Sequence, residues 1–251
     1  MKKLITLFFA LTILSQVFGQ TDEEIINWPD EPLPIYQVIE IVPKPEYILE
    51  FINAVKAHND KFHNKGNKTK AYMRRVIAGE KSDTFYWIEG PMTAEYFDKK
   101  EESPGREQAW NKNIGKYIDH FGESNFYREG TPFTTKPKYN GLPKYAKVWT
   151  MSFKEVDDVI GKTFKLAIKI KKAREEAGLT YAIYWGSEMI EKGWRIFIVE
   201  TSNSLGELYD SNVDLKGAFE KLYGADSFSK FWENWEQLVE LESTELRLLV
   251  N

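Results

Sequence analysis

Three histidines, His58, His63 and His120, are the residues whose type best suits metal binding in this chain of 251 residues. A metal site needs ligands that converge on one point. The spacing of five between His58 and His63 places them about 140° apart around an α-helix, on different faces. His120 falls at the end of another predicted helix. A structural role is therefore the stronger interpretation for each histidine, and no metal site is expected.

Other residue types that carry chemistry form no recognisable constellation. The chain has no cysteine, which excludes disulfides, thiolate catalysis and a thiol-linked lipid anchor. It contains no nucleophilic serine motif, no phosphate-binding glycine loop and no acidic calcium loop. Adjacent carboxylates such as Asp157 and Asp158 fall on predicted helix surfaces and indicate solvated charge. We therefore expect no cofactor.

The first 19 residues have the pattern of a secretory signal peptide. Lys2 and Lys3 precede an apolar run from Leu4 to Leu14, and Gly19 supplies a small residue at the cleavage point. The apolar run is too short to span a bilayer. We expect an exported protein, periplasmic or extracellular, that is not lipid-anchored.

Charge and hydropathy narrow the class of partner. The net charge is −4, which disfavours nucleic acid because phosphate binding depends on a surplus of basic side chains. No segment after the signal peptide is apolar enough to cross a membrane. Hydrophobic residues make up 42% of the chain, enough for one large core or two small ones. A small-molecule ligand remains the partner to consider, and the sequence leaves the oligomeric state open.

The elements that must position any site begin after an extended lead-in, residues 20–34. Residues 35–130 predict a strand at Ile35–Val42, a helix, and a hairpin over Lys70–Gly90 that turns at Gly79–Asp83. A second helix follows, carrying Trp110 to Phe121 and ending at Gly122, and then a weak strand at Asn125–Glu129. The order of strand, helix, two strands, helix and strand is the ferredoxin-like arrangement.

The same order is predicted again after a proline-rich linker, residues 131–143. Residues 144–251 predict a strand at Tyr145–Phe153, a helix, a hairpin over Thr180–Thr201 that turns at Glu191–Gly193, a last helix, and a final strand at Glu245–Val250. Tyr181 follows Tyr72 by 109 residues, whereas Val239 follows Ile118 by 121. The second half therefore has about a dozen extra residues, which we place between Ser202 and Ser227 with an additional short helix.

Two such halves would each leave one sheet face bare, and packing these faces together buries both. This fold class is α+β: two ferredoxin-like repeats packed sheet to sheet. The order and the repeat resemble the dimeric α/β-barrel superfamily, in particular its tandem-duplicated members. The resemblance covers almost the whole mature chain and rests on topology and hydrophobic pattern. It implies a single-chain barrel whose interior often forms a pocket.

Haem-binding relatives of this kind, the chlorite dismutase-like proteins, place their axial histidine in the second half. This sequence has no histidine after His120. The resemblance therefore does not imply a haem enzyme of that kind.

Alternation along the strands assigns side chains to the barrel interior. On the first strand Tyr36, Val38 and Glu40 should face inward, and in the second half Lys147, Trp149 and Met151 should take that side. The inward face of each hairpin is ambiguous. The candidate ligand-binding residues of the interior are Tyr36, Glu40, Arg74 (or its neighbour Arg75), Glu89, Trp149, Tyr184, Trp185 and Arg195.

Three functions fit these expectations. The leading one is an exported protein that binds a small molecule in or near the barrel. The second is a cofactor-free enzyme, monooxygenase- or isomerase-like, that acts on a small hydrophobic substrate through an inward carboxylate or tyrosine. The third is a structural or interaction protein with a solid barrel. A buried Glu or Arg that is paired internally would fit the third as well.

Overall fold

Eight antiparallel strands close into a barrel. The computed structural model describes residues 26–64, 70–98, 105–187, 194–209 and 213–250. The strands are β1 (Ile35–Pro43), β2 (Lys70–Ala78), β3 (Phe85–Met92), β4 (Ile118–Glu129), β5 (Tyr145–Phe153), β6 (Tyr181–Ser187), β7 (Trp194–Ser202) and β8 (Val239–Leu249). Their order around the barrel is β1, β3, β2, β8, β5, β7, β6 and β4.

The two halves of the chain contribute four adjacent strands each. The first half runs β4, β1, β3, β2 and the second runs β8, β5, β7, β6, so each central pair is formed by strands one and three of its half. Pairing of β2 with β8 and of β4 with β6 closes the barrel. Full closure leaves no free sheet edge within the barrel. The expected α+β barrel is confirmed at this level.

Helices cover the outside of the barrel. They are α1 (Ile48–Asn59), α2 (Ala94–Asp98), α3 (Arg106–Asn113), α4 (Val159–Glu176), α5 (Leu205–Tyr209), α6 (Leu215–Tyr223) and α7 (Ser227–Leu238). A single π-helical turn, Asp60–Asn64, continues from α1. The segment between β7 and α7 holds both α5 and α6. No helix in the described ranges is long and apolar enough to cross a membrane.

Each half has its own hydrophobic core between sheet and helices. Phe51 and Val55 of α1 pack on Ile41, Met73 and Phe85 of the first half's strands. The second core is larger because helices α4, α6 and α7 all contribute to it; its members include Phe164, Ile170, Ile183, Ile196, Phe219, Phe231 and Trp235. Two apolar layers outside the barrel therefore hold the strands in place around its interior.

The second predicted helix is shorter than its sequence pattern indicated. The second predicted helix ends at Asn113, and Ile118 already begins β4. Phe121 is 53% exposed as a result. The helical spacing was misleading because β4 gains ladder partners on both sides, β1 and β6, and tertiary pairing outweighs local pattern.

Gly122 has a different role from the helix stop that was expected of it. It lies inside β4, and a β-carbon added there would come within 2.6 Å of the Glu40 side chain. The missing side chain is what lets the Glu40 carboxylate approach the neighbouring strand. The predicted signal peptide, residues 1–19, and the predicted turn at Glu191–Gly193 lie outside the described residues.

Candidate functional site

A cavity of about 360 Å³ lies inside the barrel. A packed protein interior holds few voids larger than a water molecule, so the barrel is not solid. The inward positions of all eight strands line this cavity, as do Leu142 and Pro143 from the segment that joins the halves. Its apolar wall includes Val38, Ile88, Val148, Phe197 and Val199.

Five of the eight candidate residues line this cavity: Tyr36, Glu40, Arg74, Tyr184 and Arg195. Tyr36 and Glu40 come from β1, with Val38 between them, as alternation along a strand requires. On the ambiguous hairpins the structure selects Arg74 rather than Arg75 for the interior, and Arg75 pairs outside with Asp83. The side chain of Trp185 lies outside the described residues.

Trp149 is corrected to the outer face of β5. It packs against the second half's core, and the inward residues of β5 are Ala146, Val148 and Thr150. The expected equivalence between the halves was wrong by one residue, because Ala146 stands 110 positions after Tyr36 rather than 109. A one-residue shift transfers every side chain of a strand to the opposite face. Lys147 and Met151 are corrected with it.

Glu89 is also corrected to the outside of the barrel. It lies on β3 between Ile88, which faces the cavity, and Gly90, and is only 1% exposed beneath the covering helices. Glu89 therefore belongs to a second polar group, described below.

Arg74 is the cavity's most unusual charge. Its side chain is 6% exposed, Nη2 donates to the carbonyl of Pro143 at 2.9 Å, and Nη1 has no hydrogen-bond partner among the described residues. The guanidinium lies 5.8 Å from the ring centre of Tyr72. Burial lowers the pKa of Arg74. An arginine nevertheless stays protonated in proteins, so the cavity contains a buried cation.

The other cations at the cavity have carboxylate partners. Lys81 Nζ lies 2.6 Å from Glu40, Arg195 Nε lies 2.8 Å from Glu242, and Arg247 Nη2 lies 2.7 Å from Glu245. Within the described ranges no carboxylate lies within salt-bridge distance of Arg74. Arg74 therefore differs from the other three in having only a neutral partner.

Tyrosines surround the same part of the cavity. Tyr36 donates to Glu129 at 3.0 Å, and its ring meets that of Tyr184 edge to face at 5.4 Å. Burial, followed by the nearby Glu129 carboxylate, raises the pKa of both phenols. Burial also raises the pKa of Glu129, although the Tyr36 hydrogen bond opposes this. Both phenols therefore favour their neutral forms, and the Tyr184 hydroxyl can donate a hydrogen bond to a ligand.

A second polar group lies on the helix side of the first half. His63 Nδ1 is 2.9 Å from Glu89 Oε1, and both side chains are 1% exposed. Tyr96 donates to the same oxygen at 3.2 Å, and Arg106 Nη1 lies 3.5 Å from it. Burial alone would raise the pKa of Glu89, but His63, Arg106 and Tyr96 together hold it below its usual value.

Sequence reasoning missed this group because it treated the region of His58 and His63 as a regular α-helix. The chain changes to a π-helical turn at Asp60. A π-helix places residues five apart above one another, and the two rings lie 5.5 Å apart. Burial, and then the neighbouring His63, lowers the pKa of His58 to about 4. The five-residue spacing between His58 and His63 was therefore the available signal, but it was interpreted with α-helical rather than π-helical geometry.

The second half has a simpler pair at the matching position. Glu200 lies on the outer face of β7, and Arg174 Nη1 from α4 binds it at 2.9 Å. Tyr181 places its ring 4.8 Å from this guanidinium. This is a fixed ion pair between a helix and the sheet.

The geometry defines a closed α+β barrel with an interior cavity, matching the chlorite dismutase-like fold. No protein-family model and no curated protein sequence matches the chain. Among solved structures, it is similar to a putative monooxygenase from Lactobacillus acidophilus (12% identity, 87% of this chain and 95% of the other, TM-score 0.55). It is also similar to an anthrone oxidase-like protein (9%, 88% and 93%, 0.51) and to chlorite dismutase from Candidatus Nitrospira defluvii (10%, 87% and 92%, 0.51). At these identities the likeness shows the fold alone.

The cavity's side chains do not fit haem. Proteins hold haem iron through His, Cys, Met or Tyr. The described lining contains no His, Cys or Met. Burial raises the pKa of Tyr36, Tyr72, Tyr86 and Tyr184, which disfavours the phenolate that would bind iron. Nor do the described residues contain three or more acidic or histidine side chains placed to hold a metal ion.

Proposed function

We propose that this protein binds a small organic acid inside its barrel, with Arg74 as the anchor for the acid's carboxylate. The observation that carries this proposal is the buried guanidinium whose Nη1 has no partner among the described residues. Removing a charge from water is costly unless it is paired. A ligand carboxylate would supply both the counter-charge and the missing hydrogen-bond acceptor.

The rest of the cavity indicates the body of such a ligand. Ile88, Val148 and Phe197 provide apolar wall, and the buried tyrosines provide ring faces and hydroxyl groups. A cavity of about 360 Å³ is of the size that takes a compact ligand. A small aromatic or branched acid therefore fits this lining better than a sugar or a phosphate ester.

Ligand binding can be tested with benzoate, phenylacetate and cinnamate, each compared with its neutral amide. We expect the carboxylates to raise the unfolding temperature in a concentration-dependent way, and the amides to do so weakly. Arg74→Gln should abolish the difference between acid and amide. Arg75→Gln is the matched control, because Arg75 is the next residue of β2 and pairs with Asp83 outside the barrel. Equal responses to acid and amide, or full acid binding by Arg74→Gln, would contradict the proposal.

A second candidate function is cofactor-free acid–base catalysis on a ligand in this cavity. Glu129 favours it, because burial raises the pKa of this carboxyl and it accepts a hydrogen bond from Tyr36, which lines the cavity and connects Glu129 to it. Glu129→Gln should then keep acid binding but stop turnover of whatever compound co-purifies with the protein. Unchanged turnover would remove Glu129 from any catalytic role.

We also propose the finer architecture expected from the sequence. Residues 35–130 and 144–251 would be two ferredoxin-like repeats joined by 131–143, and the identical strand order in the halves supports this. Residues 1–19 would be a signal peptide that directs the protein out of the cytoplasm. An intact mass that corresponds to a chain starting at Gln20, after expression in a secreting host, is the expected result. A mass that includes Met1 would contradict export by this peptide.

A further inference from the structure

The histidine of the helix-side group is hydrogen-bonded on one ring nitrogen only. His63 Nδ1 faces the Glu89 carboxylate, whereas Nε2 is buried and has no partner among the described residues. Because a carboxylate accepts, Nδ1 must donate, and in the neutral ring Nε2 then carries a bare lone pair. A buried polar atom left unsatisfied costs about 1–3 kcal/mol. Such an atom in a folded protein needs an explanation.

The neighbours of His63 are arranged as they would be around a base. Glu89 fixes the tautomer and balances the charge that the ring gains on protonation. Arg106, 29% exposed, lies beside the same carboxylate and within 3.4 Å of the Tyr96 hydroxyl, so Glu89 has a permanent cation next to it. The Trp87 ring meets the imidazole edge to face at 5.3 Å, which adds an apolar wall.

The second half shows what a purely structural pair looks like at this position. Glu200 is bound by Arg174, which cannot release a proton at ordinary pH. At the equivalent place the first half has a histidine ring, an arginine and a phenol around one carboxylate. If the group around Glu89 only stabilised the fold, a single arginine such as Arg174 would be sufficient.

We propose that His63 and Glu89 form a proton-accepting site for a small, largely apolar weak acid such as a phenol or an enol. The acid's O–H bond breaks, its proton moves to His63 Nε2, and the electron pair stays on the substrate oxygen. Glu89 remains ionised and stabilises the imidazolium. The step needs no oxidant or further reactant, and its reverse returns the proton. This site is separate from the barrel cavity and does not depend on ligand binding there.

The test uses the full mature protein and 4-nitrophenol, whose phenolate absorbs in the visible range. At a pH where the free compound is mostly protonated, we expect the protein to produce a saturable phenolate band. Nitrogen-15 spectra of labelled histidine should show His63 with a bare Nε2 before the addition and a protonated one after it. Three histidines make assignment by single substitution direct.

Variants separate a base from a structural pair. His63→Gln should lose the phenolate band, and Glu89→Gln should weaken it by removing the charge that balances the imidazolium. His120→Gln and Glu200→Gln should leave it unchanged, because His120 is exposed and Glu200 belongs to the other half. Should His63→Gln fail to fold, the nitrogen spectra of the parent still decide. Two protonated ring nitrogens at neutral pH that 4-nitrophenol does not perturb, or a band that survives in a folded His63→Gln, would overturn the proposal.

Discussion

Glu89 and Glu200 occupy matching places in the two halves of the barrel and have different partners. Each lies on the outer face of its half's third strand, opposite a residue of the second strand: Ala71 for Glu89 and Tyr181 for Glu200. Glu89 shares one oxygen among a histidine, a tyrosine and an arginine. Glu200 is held by a single arginine from α4.

We infer from these different partners that Glu200 stabilises the fold, whereas the group around Glu89 is suited to chemistry. A permanent cation of fixed geometry is enough to hold a helix end on a sheet, and the second half uses one. The first half replaces it by the imidazole of His63, whose Nε2 has no partner among the described residues. Burial is also deeper there, since Glu89 is 1% exposed and Glu200 16%. The first half thus has the more costly arrangement at the position where the second has the simpler one.

The largest expected effect comes from deleting the two carboxylates. Glu89→Ala should cost about 3–5 kcal/mol of unfolding free energy, because it leaves the buried Nδ1–H of His63 without its acceptor and Arg106 without its counter-charge. Glu200→Ala removes one charge-assisted hydrogen bond at a less buried place and should cost about 1.5–3 kcal/mol. Urea unfolding of both variants measures the difference. If Glu200→Ala is the more damaging change, the contrast in burial does not control these pairs.

Making the first half resemble the second is the next test. His63→Arg supplies a permanent cation to Glu89 but inserts a larger side chain beside Trp87, so we expect a net loss of about 1–3 kcal/mol from overpacking. The phenolate band proposed for the parent should disappear even though an ion pair remains. Stability and 4-nitrophenol spectra measured on the same sample distinguish the two effects. A folded His63→Arg variant that keeps the band would show that Nε2 is not the acceptor.

The dependence of the unfolding free energy on acidic pH gives a further test of the first half, because His58 lies there. His58 packs beside His63, and it faces Arg106, Glu89 and Lys61; its pKa falls from 6.5 to about 4 on folding. Unfolded chains therefore take up a proton on His58 below pH 6.5 that the folded protein refuses until about pH 4. Stability should be complete above pH 6.5 and decline as the pH falls through this window.

His58→Gln should flatten that decline, because glutamine does not titrate. The informative quantity is the slope of unfolding free energy against pH, since loss of the ring contact with Trp110 lowers stability at every pH alike. His120→Gln is the control, as His120 is 60% exposed beside Asp119. An equal slope in parent and His58→Gln would contradict the linkage.

Much of the barrel could be predicted from local sequence, because alternation and turn residues act over short distances. Nine residues of β1 are enough to separate the inward Tyr36 and Glu40 from the outward Ile41. The Gly79–Asp83 turn follows from its residues in the same way, with Asp83 at φ 71°. Element order then determines which strands belong to each half.

The local sequence pattern could not predict the strand register or the irregular backbone segments. Trp149 was assigned to the wrong face because the offset between equivalent β1 and β5 residues is 110, one more than the expected 109. Side chains alternate between the two faces of a strand, so an error of one residue places every side chain of β5 on the wrong face. Glu242 of the cavity lining was missed because β8 begins at Val239, six residues before the expected strand. His63 was missed because a π turn is invisible to an α-helical wheel. Each error concerns a long-range or non-ideal feature that decides where a polar side chain points.

The smallest expected effect comes from an exposed ion pair on α4, which serves as a reference for the comparison of Glu89 and Glu200. Lys171 pairs with Glu175 one turn along α4, at 3.7 Å, with side chains 24% and 41% exposed. Lys171→Gln should change the unfolding free energy by only about 0.3–0.5 kcal/mol, since solvent screens such pairs. Arg174→Gln, on the same helix, should cost several times more because it leaves the less exposed Glu200 unpaired. Comparable losses for the two variants, measured by urea unfolding, would mean that helix charge rather than the buried pair stabilises this side of the barrel.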